Sequence, residues 1–102
     1  MSEIFDVLGD ATRRHIVESL SRQEASATQL AGELPVTRQA VAKHLTALRA
    51  AGLVEPRRQG RETLYRLKPE PLDSAAAWIV RVGGEWDARL ERLRRLVEGP
   101  GG

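Results

Sequence analysis

A mainly helical fold carrying one small β-hairpin is what the sequence predicts, and three observations predict it. Apolar residues recur at three- and four-residue spacing in successive segments as far as Ala51. After Gly52 the period drops to two on either side of an arginine-rich turn. From Leu72 helical spacing resumes and is kept for about seven turns. With 102 residues, 41% hydrophobic and 29% charged, the chain has material for one domain with a single core. We expect that domain over residues 1–98 and a frayed tail over 99–102.

Taken in order, Ile4, Phe5 and Leu8 make a short apolar stripe before Gly9, a first helix. Asp10 caps a second helix through about Ser21, which turns Ile16, Val17 and Leu20 inward. Ser26 and Gln29 stand at capping-box spacing, so each can satisfy an orphan N–H of the other. The third helix, Ala27 to about Leu34, buries Leu30 and with it Ala31 and Leu34. Pro35-Val36 interrupts the chain, and two helices joined by about three residues form a helix-turn-helix.

The stretch Thr37–Gly52, TRQAVAKHLTALRAAG, organises the rest. Thr37 offers an N-cap oxygen, and Gly52 stands where a left-handed residue stops a helix. Val41, Leu45 and Leu48 form one buried stripe, with Ala40 and His44 beside it. The opposite face carries Arg38, Gln39, Lys43 and Thr46. Long donors gathered in the first two turns are what a recognition helix points at base edges in a major groove. A solvated face on an ordinary amphipathic helix is the alternative.

Leu53-Val54 and Thr63-Leu64-Tyr65-Arg66-Leu67 read as two strands, with Gly60 in the tight turn between them. The tip holds Arg57, Arg58 and Arg61. Like charges so close oppose folding by themselves, which favours a phosphate partner. From Thr37 to Arg66 seven basic residues (Arg38, Lys43, Arg49, Arg57, Arg58, Arg61, Arg66) face two acids (Glu55, Glu62), a formal +5 in a chain of net +2. A basic segment on a mildly acidic body is the footprint of a nucleic-acid face.

Pro69 and Pro71 suit the first turn of a last helix. Its apolar series, Ala75, Ala76, Ile79, Val82, Trp86, Leu90, Leu93 and Val97, is longer than one small domain needs for its own core. Gly83-Gly84 interrupts the series and predicts a kink or a close helix contact. Trp78 and Trp86 are expected as core or dimer anchors, with a pocket for an apolar effector as the alternative.

Other classes find little support. There is no cysteine, hence no disulfide or thiolate metal site. No apolar run of about 18 residues exists, and the N-terminus MSEIFDVLGD carries acids where a secretory signal carries positive charge. Localisation is therefore expected to be cytoplasmic. Ser19, Ser21, Ser26 and the two histidines show no nucleophile-elbow, P-loop or paired-carboxylate spacing, so no enzyme and no cofactor are expected. His44 reads as a structural, half-buried side chain rather than a base contact. His15 is expected at the surface or near a dimer interface. Of Arg13 and Arg14, one is expected to pair with an acid and one to touch a phosphate.

The runs IFDVLGDATRRHIVESL and TQLAGELPVTRQAVAKHLTALRAAGLVEPRRQGRETLYRL together resemble the ArsR/SmtB-type winged helix-turn-helix repressors of bacteria, over about residues 4–98. LGDATRRHIVESL is similar to that family's L-x-D-x-T-R-R-x-I-L opening. QAVAKHLTALRAAGLV follows its recognition-helix pattern, with Ala42 where serine is common. The resemblance implies a homodimer through the first and last helices, a recognition helix over Thr37–Ala51 and a wing over Glu55–Thr63. Many members sense metals through Cys, His and carboxylate ligands. This chain has only His15 and His44, neither in the last helix, and so looks more like the metal-independent branch.

The expectation is a sequence-specific binder of double-stranded DNA, a repressor acting on an inverted repeat as a homodimer. Repression is the default that the resemblance implies, with no activation domain expected in 102 residues. The DNA-binding residues are Thr37, Arg38, Gln39, Lys43, Thr46, Arg57, Arg58 and Arg61. The dimerisation residues are Ile4, Phe5, Leu8, Ile79, Val82, Trp86, Leu90 and Leu93. A small-molecule effector of unidentified class is the remaining partner; no metal and no membrane are expected. The rival reading is a winged-helix module that binds protein, which would show apolar or acidic residues on the face that here carries Arg38, Lys43 and the wing arginines. An RNA-binding winged domain would want exposed aromatics for stacking, and only Tyr65 is available there.

Overall fold

In the computed structural model the described residues are 2–98, with side chains from Glu3 to Val97; the expected tail at 99–102 lies outside them. The order is α1 (Ser2–Leu8), α2 (Ala11–Arg22), β1 (Ala25–Ser26), α3 (Ala27–Glu33), α4 (Arg38–Ala50), β2 (Val54–Gln59), β3 (Glu62–Leu67) and α5 (Glu70–Glu98). Contacts within the chain group it into two units, Met1–Leu72 and Asp73–Gly102.

In the first unit α2, α3 and α4 each begin at a residue whose side chain takes an orphan N–H. Asp10 accepts from the Arg13 backbone N–H at 3.1 Å. Ser26 Oγ accepts from Gln29 N at 3.1 Å while Ser26 N donates to Gln29 Oε1 at 2.8 Å, a complete capping box. Thr37 Oγ1 accepts from Ala40 N at 3.1 Å. At the end of α4, Leu53 N donates to Leu48 O at 3.0 Å and Gly52 N to Arg49 O at 2.9 Å. This is a Schellman closure around Gly52, whose φ of 76° an L side chain rarely adopts. It places Leu53 against the α4 terminus and starts β2.

The core of this unit is the stripe each helix turns inward. Ile16, Leu30, Val41, Leu45, Leu48, Leu53 and Val54 are all fully buried. Each such side chain contributes about 1.5–3 kcal/mol relative to an exposed one. Ser19, also buried, donates its hydroxyl to Glu33 Oε2 at 2.7 Å and ties α2 to the end of α3. Ala31 and Leu34, expected inside, are only half-buried, because α3 stops at Glu33 and Leu34 is already extended.

The hairpin is not alone. β1 pairs antiparallel with β3, giving a three-stranded sheet of order β1-β3-β2. Sequence periodicity gives no sign of β1, because it is two residues long and coincides with the cap of α3. Gly60, φ 64°, and Arg61 form the two-residue turn between β2 and β3, with the positive φ at the first central position as a type II′ turn requires.

The second unit is the body of α5. The helix continues through Gly83-Gly84, and among the described residues nothing beyond the neighbouring residues and the helix's own backbone lies within 4 Å of a Cβ built on either glycine. The close contact expected there is not made among the described residues. Ile79, Val82, Trp86, Leu90 and Leu93 are all exposed, Trp86 by 56% and Leu93 by 58%. Glu91 is engaged within its own helix by Arg94 at 2.8 Å and Arg95 at 3.9 Å.

Candidate nucleic-acid interface

Three segments of the first unit converge on one open cleft of about 500 Å³. The first turn of α4 supplies Arg38, Gln39 and, a turn later, Ala42. The start of α3 supplies Ser26, Ala27 and Thr28. The hairpin supplies Arg58, Arg61, Glu62, Thr63 and Tyr65. Thr37, just ahead of α4, and Lys43 and Thr46 on it are exposed, the last two following Gln39 at helical spacing. Thr37 is held as the α4 cap, and Thr46 Oγ1 donates to Ala42 O at 3.0 Å. Guanidiniums from a helix start and a hairpin tip thus border the same concave surface. That is the arrangement for a duplex backbone beside a helix reading base edges.

Strand alternation sorts the wing arginines. In the β2–β3 register Arg58 stands opposite Thr63 and Pro56 opposite Tyr65, and Arg58, Thr63 and Tyr65 line the cleft. Arg57, opposite Leu64, belongs to the other face of the sheet. There its guanidinium is paired with the Glu24 carboxylate and also donates to Gln59 Oε1 at 3.2 Å. Arg66 is paired with Glu55 across the strands on this same face, and Lys68 lies 3.9 Å from Glu55. The hydrogen bond from Arg57 holds the Glu24 carboxyl below the usual carboxylate range, and Glu24 raises the Arg57 guanidinium in turn. Arg57 is therefore set apart from Arg38, Gln39, Arg58 and Arg61, which the fold brings together.

Thr28, Thr63 and Tyr65 join the cleft beyond the residues expected there. Period-two alternation from Arg58 points to the last two; Thr28 has no local signal beyond following a capping serine. His44 is half-buried and accepts at Nδ1 from Arg13 Nε at 3.1 Å, the structural role expected of it. Arg13 and Arg14 depart from the expected pairing with an acid. Arg13 binds that imidazole, and Arg14 Nη1 donates to Leu8 O at 2.7 Å, so neither is in an ion pair with an acid among the described residues. Of the residues expected at a dimer seam, Ile4 is buried by its own chain, Leu8 is half-buried and Phe5 is 37% exposed.

Among the described residues no group of three or more His, Cys, Asp or Glu is placed to hold a metal ion, and no helix is long and apolar enough to cross a membrane. A family model described as a helix-turn-helix domain matches residues 8–57. The HTH-type transcriptional regulator Rv2034 of Mycobacterium tuberculosis is 35% identical over 97 residues, 95% of this chain and 88% of that protein. The solved structure of an ArsR-like transcriptional regulator from Rhodococcus sp. RHA1 matches with a TM-score of 0.81 at 45% identity, over 93% of this chain and 90% of that one. The solution structure of a homodimeric winged helix-turn-helix DNA-binding domain from Mycobacterium bovis, a possible ArsR-family regulator, matches with a TM-score of 0.66 at 26% identity, over 82% and 78% of the two chains.

Proposed function

The chain belongs to the ArsR family of winged helix-turn-helix transcriptional regulators, which bind DNA, and from that premise we propose that it is a repressor that grips an inverted repeat as a homodimer. The observation that carries this reading is the cleft in which Arg38 and Gln39 at the start of α4 meet Arg58 and Arg61 of the wing. In this reading Gln39 makes a bidentate contact with an adenine edge, and the arginines hold phosphates beside the groove.

The homodimer is supported by α5. A single helix of 29 residues cannot cover its own stripe, and Ile79, Val82, Trp86, Leu90 and Leu93 lie exposed along it. A contiguous apolar patch of that extent is what a second copy covers with the same surface. Two recognition helices about 34 Å apart would then meet successive major grooves on one side of a duplex. Repression follows as the default outcome, since a dimer seated on promoter DNA occupies the path of the polymerase.

Regulation by a transition metal is not part of this reading. With no cysteine and only His15 and His44, the chain lacks the soft and imidazole donors that such metals need. The test is footprinting on the DNA upstream of its own gene, with and without zinc, nickel or copper. Protection of an inverted repeat, unchanged by metal, is expected. Uniform binding without a footprint would overturn the operator reading, and release of DNA by stoichiometric metal would overturn metal independence.

A further inference from the structure

The wing carries three arginines but offers only two of them to the cleft. Arg57 points to the opposite sheet face, where Glu24, just ahead of β1, takes its guanidinium. The two residues are 33 positions apart and sit on the two edges of the sheet, with β3 between them. Around them the charges alternate: Glu55 pairs with Arg66 and lies near Lys68. Exposed ion pairs of this kind contribute little to stability. Their larger consequence is electrostatic, because a cation already held by a carboxylate has no free charge with which to displace a counterion from DNA.

We propose that Glu24 is a positioning residue for the wing, which ties the hairpin to the β1 edge and withholds Arg57 from DNA, leaving Arg58 and Arg61 as the phosphate-binding pair. The assignment rests on the DNA-binding reading above. It divides a run of neighbouring arginines by the face each one occupies rather than by residue type. It also makes Glu24 a brake on non-specific binding, since it cancels a positive charge that would otherwise act on every sequence alike.

The test is the salt dependence of binding of the full chain to a mixed-sequence duplex of about three helical turns. Each phosphate contact contributes about 0.9 to the slope of log K against log salt, so losing one makes the affinity drop between 50 and 200 mM salt about 3.5-fold smaller per bound protomer. Arg58→Gln and Arg61→Gln should each lower the slope by that amount per protomer, and Arg57→Gln should leave it unchanged. Glu24→Gln should steepen the slope by the same amount, and the gain should vanish in Glu24→Gln/Arg57→Gln. A disordered wing would only lower the slope, so a rise that requires Arg57 reports a released cation and not a loosened fold. The assignment is overturned if Arg57→Gln lowers the slope as Arg58→Gln does, or if Glu24→Gln leaves it unchanged. A wild-type chain with no salt-dependent affinity for duplex DNA would instead overturn the DNA-binding reading, and this assignment with it.

Discussion

Arg13 Nε donates a hydrogen bond to His44 Nδ1 at 3.1 Å, joining α2 to the middle of α4 across 31 positions of sequence. The rotation of α4 about its axis is set by Val41, Leu45 and Leu48, buried on the neighbouring face, and the bond adds one polar tie to α2. Replacing Arg13 with alanine should cost about 1 kcal/mol, the usual net worth of one such bond. Urea unfolding would measure it, and His44→Ala in the Arg13→Ala background should add less than it does alone. Additive losses would mean that the bond contributes nothing.

Asp10 governs how this region responds to acid. The Arg13 backbone N–H holds its carboxyl below the ordinary range. A group with a depressed folded-state value stabilises the fold fully above its unfolded pKa and loses that contribution as pH falls through the folded one. The cap should thus weaken below the normal carboxylate range. Asp10→Asn keeps a side-chain acceptor and should remove this part of the acid dependence, whereas Asp10→Ala should lower the melting temperature at neutral pH as well. Thermal melts of the three proteins from neutral pH to about pH 3 would decide it. Parallel pH profiles for the wild-type and Asp10→Asn proteins would count against the cap as the source.

Gln39 and Arg61 border the same cleft but should fail differently when removed. Gln39→Ala should lose about 1–3 kcal/mol on the selected operator and almost nothing on random duplex, as expected of a base reader. Arg61→Ala should weaken both alike, as expected of a phosphate contact. Competition titrations with operator and random DNA separate the two patterns. Equal losses for Gln39→Ala on both DNAs would remove it from base reading.

Leu90→Arg puts a charge into the middle of the exposed α5 stripe without touching α4. Sedimentation should show a monomer, and operator affinity should collapse, because each half-site alone binds weakly. Circular dichroism should keep its helical signal. A variant that remains dimeric and binds normally would place the seam elsewhere.

Much of this protein was legible from the sequence because the deciding interactions are short in range. Asp10, Ser26 with Gln29, and Thr37 each meet a partner three residues away, Gly52 and Gly60 take up positive φ within a single turn, and the buried stripe of α4 follows from helical period alone. The candidate cleft was legible to the extent that Arg38, Gln39, Arg58 and Arg61 are named by residue type and segment. What only the tertiary structure decided depends on partners far apart in sequence. Ala25–Ser26 becomes a strand because β3, some forty residues later, lies beside it, and no property of two residues could announce that. Arg13 finds His44 rather than an acid, and Arg57 finds Glu24 while its neighbour Arg58 turns to the cleft. Residue type determines that an arginine seeks a partner; the register of the sheet decides whether that partner is a carboxylate of its own chain or the cleft where DNA is proposed to bind.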